Sequence, residues 1–451
     1  MLTGRKQELE YLEEFYRTDR SNIVVLYGRE GIGKTTLVSH FIQGKPCIYY
    51  NARKVADREQ LYCMKRDWPE TEQARDYYEV FRKKTEQCTE TAKTVLVLDE
   101  FRNLLDFSEN FAEGFSRFYD ETAPGKKLMV VLISSSINWV ENEMAQKLGT
   151  TAKLIGGFVK LKAFSFMELA SYFKEFPVKQ DIYAGSVVGG VPGYLRFWDT
   201  KSDLEENIKR LFLSEDAPLF AEAERYLKLE LRELTAYNTI LATMAEGHYK
   251  LNEIYEHTGF SRAKISVYLK NLTQLDITEK MFSSESGDNN AALKGLYRIR
   301  EPYLRFWYRF VYPNLSEIAL GNKEKVYREK MRPFLLAYVS DFFSEVCNEY
   351  LQLMNRYHRL ETNYSHFGPW YGKAGKIDVL AKAEDGSCLA GFCDCTADPL
   401  GPEALDRYYE ILASAGITKY EMQVFSMAGF TEEFETRATE ENVSYTWAKD
   451  M

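Results

Sequence analysis

Gly28-Arg29-Glu30-Gly31-Ile32-Gly33-Lys34-Thr35 stands directly after the apolar run Ile23-Val24-Val25-Leu26-Tyr27 and directly before a helix-like stretch, Thr36 to Gln43. The octapeptide fits G-x-x-x-x-G-K-S/T in full, in the strand, loop and helix context that the pattern requires, and so reads as a phosphate-binding loop. Its glycines let the backbone turn tightly enough for successive N–H groups to point at phosphate oxygens. The following helix adds roughly half a positive charge at its N-terminus. Lys34 then supplies a mobile cation for the β- and γ-phosphates, and the Thr35 hydroxyl a ligand for Mg²⁺. A nucleotide with Mg²⁺ is the expected ligand.

A partner for the loop lies downstream. Val95-Leu96-Val97-Leu98-Asp99-Glu100 is a continuous apolar run of the kind buried on both faces of a parallel sheet, and it ends in two acids. Asp99 is expected to hold Mg²⁺ through water. Glu100 is placed like the base that orients an attacking water in ATPases. A third such run, Leu128 to Ile133, leads into Ser134-Ser135-Ser136, small hydroxyls suited to sensing the γ-phosphate, with Ser134 the expected sensor.

A chain of 451 residues exceeds the roughly 250–300 at which one core stops growing, so two or three domains are expected. It has no apolar run of about 18 residues and no charged-apolar-small leader, which makes a cytoplasmic location the expectation, with no membrane partner. Seven scattered cysteines argue for reduced thiols rather than a disulfide framework. Only Cys388, Cys393 and Cys395 cluster, and the five histidines are dispersed, so no zinc site is expected. The formal charge of −9 argues against a wholly basic nucleic-acid coat but permits a local basic face.

Three parts are expected: residues 1–220, with a helical lid from about 165; residues 221–320; and residues 321–451. The glycine-rich break Gly185 to Leu195, with Pro192 at its centre, reads as a turn between lid helices, either packing or closing over the adenine. Leu234 to Ala245, Lys250 to His257 and Ser261 to Leu275 read as helices. Ile277 to Phe282 and Leu293 to Ile299 read as strands about the polar tip Ser283 to Asn290, which is a winged helix-turn-helix outline. Its third helix exposes Arg262, Lys264 and Lys270 as candidate phosphate contacts to duplex DNA; the alternative is a packing module. The aromatic stretch Tyr303 to Pro313 reads as core or a docking face, with base stacking as the alternative. The last part reads helix, three strands, helix, strand, helix, strand.

Across nearly its whole length the chain resembles the archaeal-type ATPases of the STAND class of P-loop NTPases. The resemblance is carried by Gly4-Arg5 with Glu8-Leu9, the loop at 28–35, Leu98-Asp99-Glu100-Phe101, Ser134 to Ser136, Phe164-Ser165-Phe166 with Glu168, and Gly189 to Leu195. Tyr297-Arg298-Ile299 with Phe306-Trp307, and Phe425 to Thr431, look like the branch that ends in a restriction-endonuclease-like domain. The resemblance implies an α/β chain: a parallel P-loop NTPase sheet with a helical lid, a winged helix-turn-helix, and a C-terminal α/β domain. It implies an ATP-driven, Mg²⁺-dependent switch, and it adds Arg5, Thr36 and Pro192 to the loop residues as nucleotide-binding positions. Neither Arg29 nor Arg102 is assigned as an arginine finger; a protein trigger and self-association remain open.

One departure bears on function. Nucleases of this fold need a helix acid, then Asp, then Glu-x-Lys on the next strand. Glu345 and Asp378 fit the first two, but the strand reads Gly391-Phe392-Cys393-Asp394-Cys395, which puts Phe392 at the metal-binding Glu and Asp394 at the Lys. A degenerate nuclease site of Glu345, Asp378 and Asp394 is therefore expected. The alternatives are an ATP-dependent DNA nuclease with Lys373, Lys376 or Lys382 as the cation, or a nucleotide-gated DNA-binding or assembly protein.

Overall fold

The computed structural model describes residues 2–88, 92–174, 176–281 and 296–451. The chain divides into two compact units. The first comprises Met1–Ala163, Val191–Gly193 and Glu224–Arg232. The second comprises Phe164–Gly190, Tyr194–Ala223 and Glu233–Met451.

The first unit is built on five parallel strands, β1 (Asn22–Tyr27), β2 (Cys47–Asn51), β3 (Thr94–Asp99), β4 (Leu128–Ser134) and β5 (Ile155–Lys160), in the order β2-β3-β4-β1-β5. Every residue of β1, β3 and β4 is buried, which is why these three read as unbroken apolar runs. The two edge strands were not expected. Cys47–Asn51 alternates exposed and buried residues, and Ile155–Lys160 carries Gly156-Gly157, a weak strand signal. The order brings the C-terminal ends of β1, β3 and β4 side by side, where ligands bind in open α/β sheets.

In the second unit the helices Phe166–Phe173 and Val178–Val188 share a core with the long helix Arg332–Arg356: Phe166 and Ile182 lie with Val339, Phe342 and Phe343. The segment expected as a lid within 1–220 is thus largely in the second unit, held by apolar burial against a helix more than 140 residues later. Helices Leu234–Ala245, Leu251–Thr258 and Arg262–Gln274 are followed by the antiparallel pair β6 (Thr278–Met281) and β7 (Leu296–Ile299). The polar tip expected at Ser283 to Asn290 lies outside the described residues. Tyr303, Phe306, Trp307, Tyr308 and Phe310 are buried, and Trp307 Nε1 donates to the Phe220 carbonyl at 2.7 Å, so the aromatic stretch is core.

The last part holds a mixed sheet, β8 (Ser365–Tyr371), β9 (Lys376–Lys382), β10 (Cys388–Asp394), β11 (Tyr420–Ser426) and β12 (Ser444–Trp447), ordered β12-β11-β10-β9-β8. The pairs β8–β9 and β9–β10 are antiparallel, β10–β11 and β11–β12 parallel. Leu389 packs with the Arg332–Arg356 helix, and its neighbours Ala390 and Cys388 with Leu405, Ile411 and Leu412 of Glu403–Ser414, as strand alternation requires. Among the described residues no helix is long and apolar enough to cross a membrane.

Candidate functional site

The loop leaves β1 at Gly28, whose N–H donates to the Ser134 carbonyl at 3.3 Å, and enters the helix Lys34–Phe41 through Gly33. Gly33 sits at φ +98° with nothing near the position of a Cβ, so backbone conformation rather than space demands glycine there. Lys34 is buried and donates to the loop carbonyls of Gly28 at 2.9 Å and Arg29 at 3.0 Å. Burial lowers its pKa, and the carboxylates of Glu100, Asp99, Glu30 and Glu230 only partly restore it.

Thr35 begins the exposed side of that helix, followed by exposed Thr36. Thr35 Oγ1 donates to Asp99 Oδ2 at 3.3 Å, and Tyr49 Oη from β2 donates to the same oxygen. Asp99 Oδ1 accepts the Glu100 N–H at 2.9 Å. A hydroxyl and a carboxylate this close are the hard oxygen donors that suit Mg²⁺. Glu100 follows at φ +50°, a left-handed conformation that is costly for a residue with a Cβ. Its Oε1 accepts from Ser135 Oγ. Burial raises the Glu100 pKa; Ser135 and Lys34 oppose the rise, whereas Asp99 and Glu30 add to it. Ser134, the expected sensor, is buried at the end of β4, and its Oγ accepts from the Ser136 N–H at 3.3 Å; Ser135 is the serine that meets Glu100.

Around the loop the structure adds partners that the motifs do not contain. Arg5, expected among the nucleotide-binding residues, donates to the carbonyls of Ile32 at 3.0 Å and Lys162 at 2.7 Å, bracing the loop through its backbone. The Gly193 N–H, next to Pro192, donates to the Gly31 carbonyl at 2.9 Å. A Cβ on Gly193 would stand 2.8 Å from the Gly31 Cα, so this approach excludes any side chain. From the helix Glu222–Glu230, Arg225 pairs with Glu30 at 2.6 Å, and the Arg29 guanidinium lies 3.9 Å from the centre of the Tyr226 ring. Buried Glu230 accepts from Ser136 Oγ at 2.9 Å and from the N–H groups of Ile137 and Asn138 at 2.9 and 3.0 Å. These contacts bridge up to 195 residues of sequence.

Among the described residues, the three acids of the expected nuclease site share no hydrogen-bond partner. Glu345 accepts from Arg298 at 2.9 Å and Arg305 at 2.6 Å; burial pushes its pKa up, and the two guanidiniums more than offset this and leave it below the ordinary value. Asp378 accepts from Ser344 Oγ at 2.7 Å, the Cys393 N–H at 3.0 Å and Lys376 at 2.8 Å. Asp394 accepts from the N–H and hydroxyl of Thr396, and the Phe392 ring stacks on Tyr408 at 4.2 Å. Arg262, Lys264 and Lys270 are all exposed on the helix Arg262–Gln274, but Arg262 also donates to Asn252 at 3.0 Å and lies over the Tyr255 ring.

The family described as "ATPase domain predominantly from Archaea" matches residues 2–196, and the family described as "Archaea bacterial proteins of unknown function" matches residues 307–396. A Methanocaldococcus jannaschii protein, described only as uncharacterized, is 27% identical over 391 residues, 84% of each chain. A second, described as an uncharacterized ATP-binding protein of the same organism, is 42% identical over 45 residues, 10% of this chain and 76% of its own. Among solved structures the chain is similar to a Walker-type ATPase of Pyrococcus abyssi, at 18% identity and a TM-score of 0.49, over 68% of this chain and 96% of that one. The ORC2 protein of Aeropyrum pernix in ADPNP–ADP complexes aligns at 16% identity and a TM-score of 0.44, over 72% and 96%. The first part of the chain, residues 2–196, thus matches the archaeal-type ATPase domain family, and a segment of its C-terminal part, residues 307–396, matches the second family.

Proposed function

We propose that the chain is a Mg²⁺-dependent switch that binds and hydrolyses ATP. The observation that carries this reading is the convergence of Thr35 Oγ1 and Asp99 Oδ2 at 3.3 Å, with Glu100 next in the chain at φ +50° and its carboxylate accepting from Ser135 Oγ. In this reading the loop N–H groups and Lys34 hold the phosphates, and Thr35 and Asp99 hold Mg²⁺, which supplies charge neutralisation at the β- and γ-phosphates. Glu100 orients the attacking water and takes its proton, a role that its raised pKa favours. In this reading Ser134 or Ser135 senses the γ-phosphate, a role supported by the Ser135–Glu100 contact, and Pro192 with Gly193, whose N–H donates to the Gly31 carbonyl, borders the loop. The test is steady-state ATP turnover. Lys34→Ala should abolish nucleotide binding, whereas Glu100→Gln should keep ATP bound and slow turnover by about a hundredfold or more. Unchanged turnover in Glu100→Gln would remove Glu100 as the base.

The finer reading is a STAND-type switch whose nucleotide state is passed to a winged helix-turn-helix at about 221–320 and to a restriction-endonuclease-like domain at 321–451. Nuclease activity is not part of it. The engagement of Glu345 by Arg298 and Arg305 supports an impaired site, because a metal would have to displace two cations. A DNA-associated role is favoured by the exposure of Arg262, Lys264 and Lys270 on one helix. Stimulation of turnover by duplex DNA, lost in Arg262→Ala and at higher salt, would support it; indifference to DNA would favour a protein trigger.

A further inference from the structure

The histidines that look dispersed in the sequence are not all dispersed in space. Glu246 follows the helix Leu234–Ala245, Gly247 turns the chain at φ +105°, His248 comes next, and His257 lies in the last turn of Leu251–Thr258. Ligand atoms from Glu246, His248 and His257, one from each, all lie within 4.8 Å of one another. Glu246 Oε2 is 3.5 Å from His257 Nε2, and the two imidazoles approach to 4.7 Å between ring centres. Metal bonds of about 2.0–2.1 Å in tetrahedral array put neighbouring ligand atoms roughly 3.4 Å apart, so the Glu246–His257 edge already has that length.

We propose that Glu246, His248 and His257 form a binding site for a divalent transition-metal ion, Zn²⁺ foremost. The Glu246–His257 contact accounts for one edge of the triangle but not for the approach of His248, whose ring is tilted by 39° to that of His257; a shared metal uses all three donors. Two imidazoles and one carboxylate select Zn²⁺ or a neighbouring transition ion over Mg²⁺ or Ca²⁺, which prefer all-oxygen shells. The backbone sets the donors in place. Gly247 N–H donates to the Met244 carbonyl at 3.1 Å, His248 N–H to Thr243 at 3.3 Å, and Gly259 N–H to Tyr255 at 3.0 Å. The same turn carries Tyr249, whose carbonyl accepts the Tyr297 N–H of β7 at 2.8 Å, so a metal here would fix the turn that bonds the helix pair to the β6–β7 strand pair. Three protein donors leave a fourth position for water.

The test is a Zn²⁺ titration of the tag-free full chain in competition with a chromogenic chelator, alongside His248→Ala, His257→Ala, the double variant and Glu246→Gln. All three side chains are exposed or half-exposed, and unchanged circular dichroism of the metal-free variants would establish that they fold. One equivalent should be lost in the double variant, and each single variant should bind about tenfold or more weakly. Zn²⁺ should also slow hydrogen exchange at the Tyr297 amide in the wild type and not in the double variant. Equal uptake by the double variant would assign the metal to the seven thiols and overturn the proposal, as would no uptake by the wild type.

Discussion

Asp181, in the helix Val178–Val188, is 1% exposed, and its Oδ1 has no hydrogen-bond partner among the described residues. Burial raises its pKa to about 7. Glu345 is also desolvated, yet its pKa falls, because Arg298 and Arg305 stand against it; a cation at bonding distance decides the direction. The sign for Asp181 follows from proton counting. Unfolded, it ionises near the ordinary ~3.9; folded, it keeps its proton up to about 7, so between these values the native state holds more protons and stability falls as pH rises. The slope is ~1.4 kcal/mol per pH unit, or about 2 kcal/mol between pH 5.5 and 7. Asp181→Asn removes that titration. Urea midpoints measured at pH 5.5 and 7.5 should drop further for the wild type than for Asp181→Asn, and parallel drops would show that Asp181 does not titrate in this window.

At the scale of elements, the helix Glu222–Glu230 acts on the ATPase sheet through its last residue. Glu230 gives its two oxygens to one hydroxyl and two N–H groups at the end of β4, where an unpaired donor costs about 1–3 kcal/mol. Glu230→Ala should therefore lower stability by about 2–3 kcal/mol and reduce turnover less than Lys34→Ala does, read by urea midpoints and steady-state rates. A neutral Glu230→Ala would mean that water replaces the carboxylate without cost. None of this is legible in the sequence, whereas the phosphate-loop pattern and the two acids that end β3's apolar run are, and the difference is physical. A phosphate loop is a local device whose glycines, Lys34 and Thr35 lie within eight residues. The strands β1, β3 and β4 are buried on both faces and announce themselves by continuous apolar residues. Edge strands, half exposed, give no such run. Tyr49 reaches Asp99 only because β2 pairs with β3, and Glu230 reaches Ser136 across 94 residues. The His248–His257 approach was missed for the same reason: nine residues and a turn separate the two side chains, a spacing that no helical period joins.

For the whole molecule, the sequence suggests parts that follow one another, and the contacts divide the chain into two units that each draw on separate segments. The chain passes between the two units at 163/164, 190/191, 193/194, 223/224 and 232/233. The first unit draws its loop brace at Gly193 and its carboxylate at Glu230 from two short segments separated from Ala163 by residues of the second unit. A fragment ending at residue 163 retains all five strands of the sheet and the whole phosphate loop, but loses the Gly193–Gly31 bond, the Arg225–Glu30 pair and the Glu230 carboxylate. A fragment ending at residue 232 retains these, yet leaves Phe166 and Ile182 without Val339, Phe342 and Phe343, exposing a buried apolar face. No single cut satisfies both units. A ligand held at about a hundred times its dissociation constant stabilises the folded state by ~2.7 kcal/mol, and ADP with Mg²⁺ should raise the melting temperature of the full chain accordingly. In fragment 1–163 the shift at the same ADP concentration should be less than half as large, and fragment 1–232 should aggregate on purification. Nucleotide affinity in 1–163 equal to that of the full chain would reduce the two crossing segments to packing and make the ATPase sheet self-sufficient.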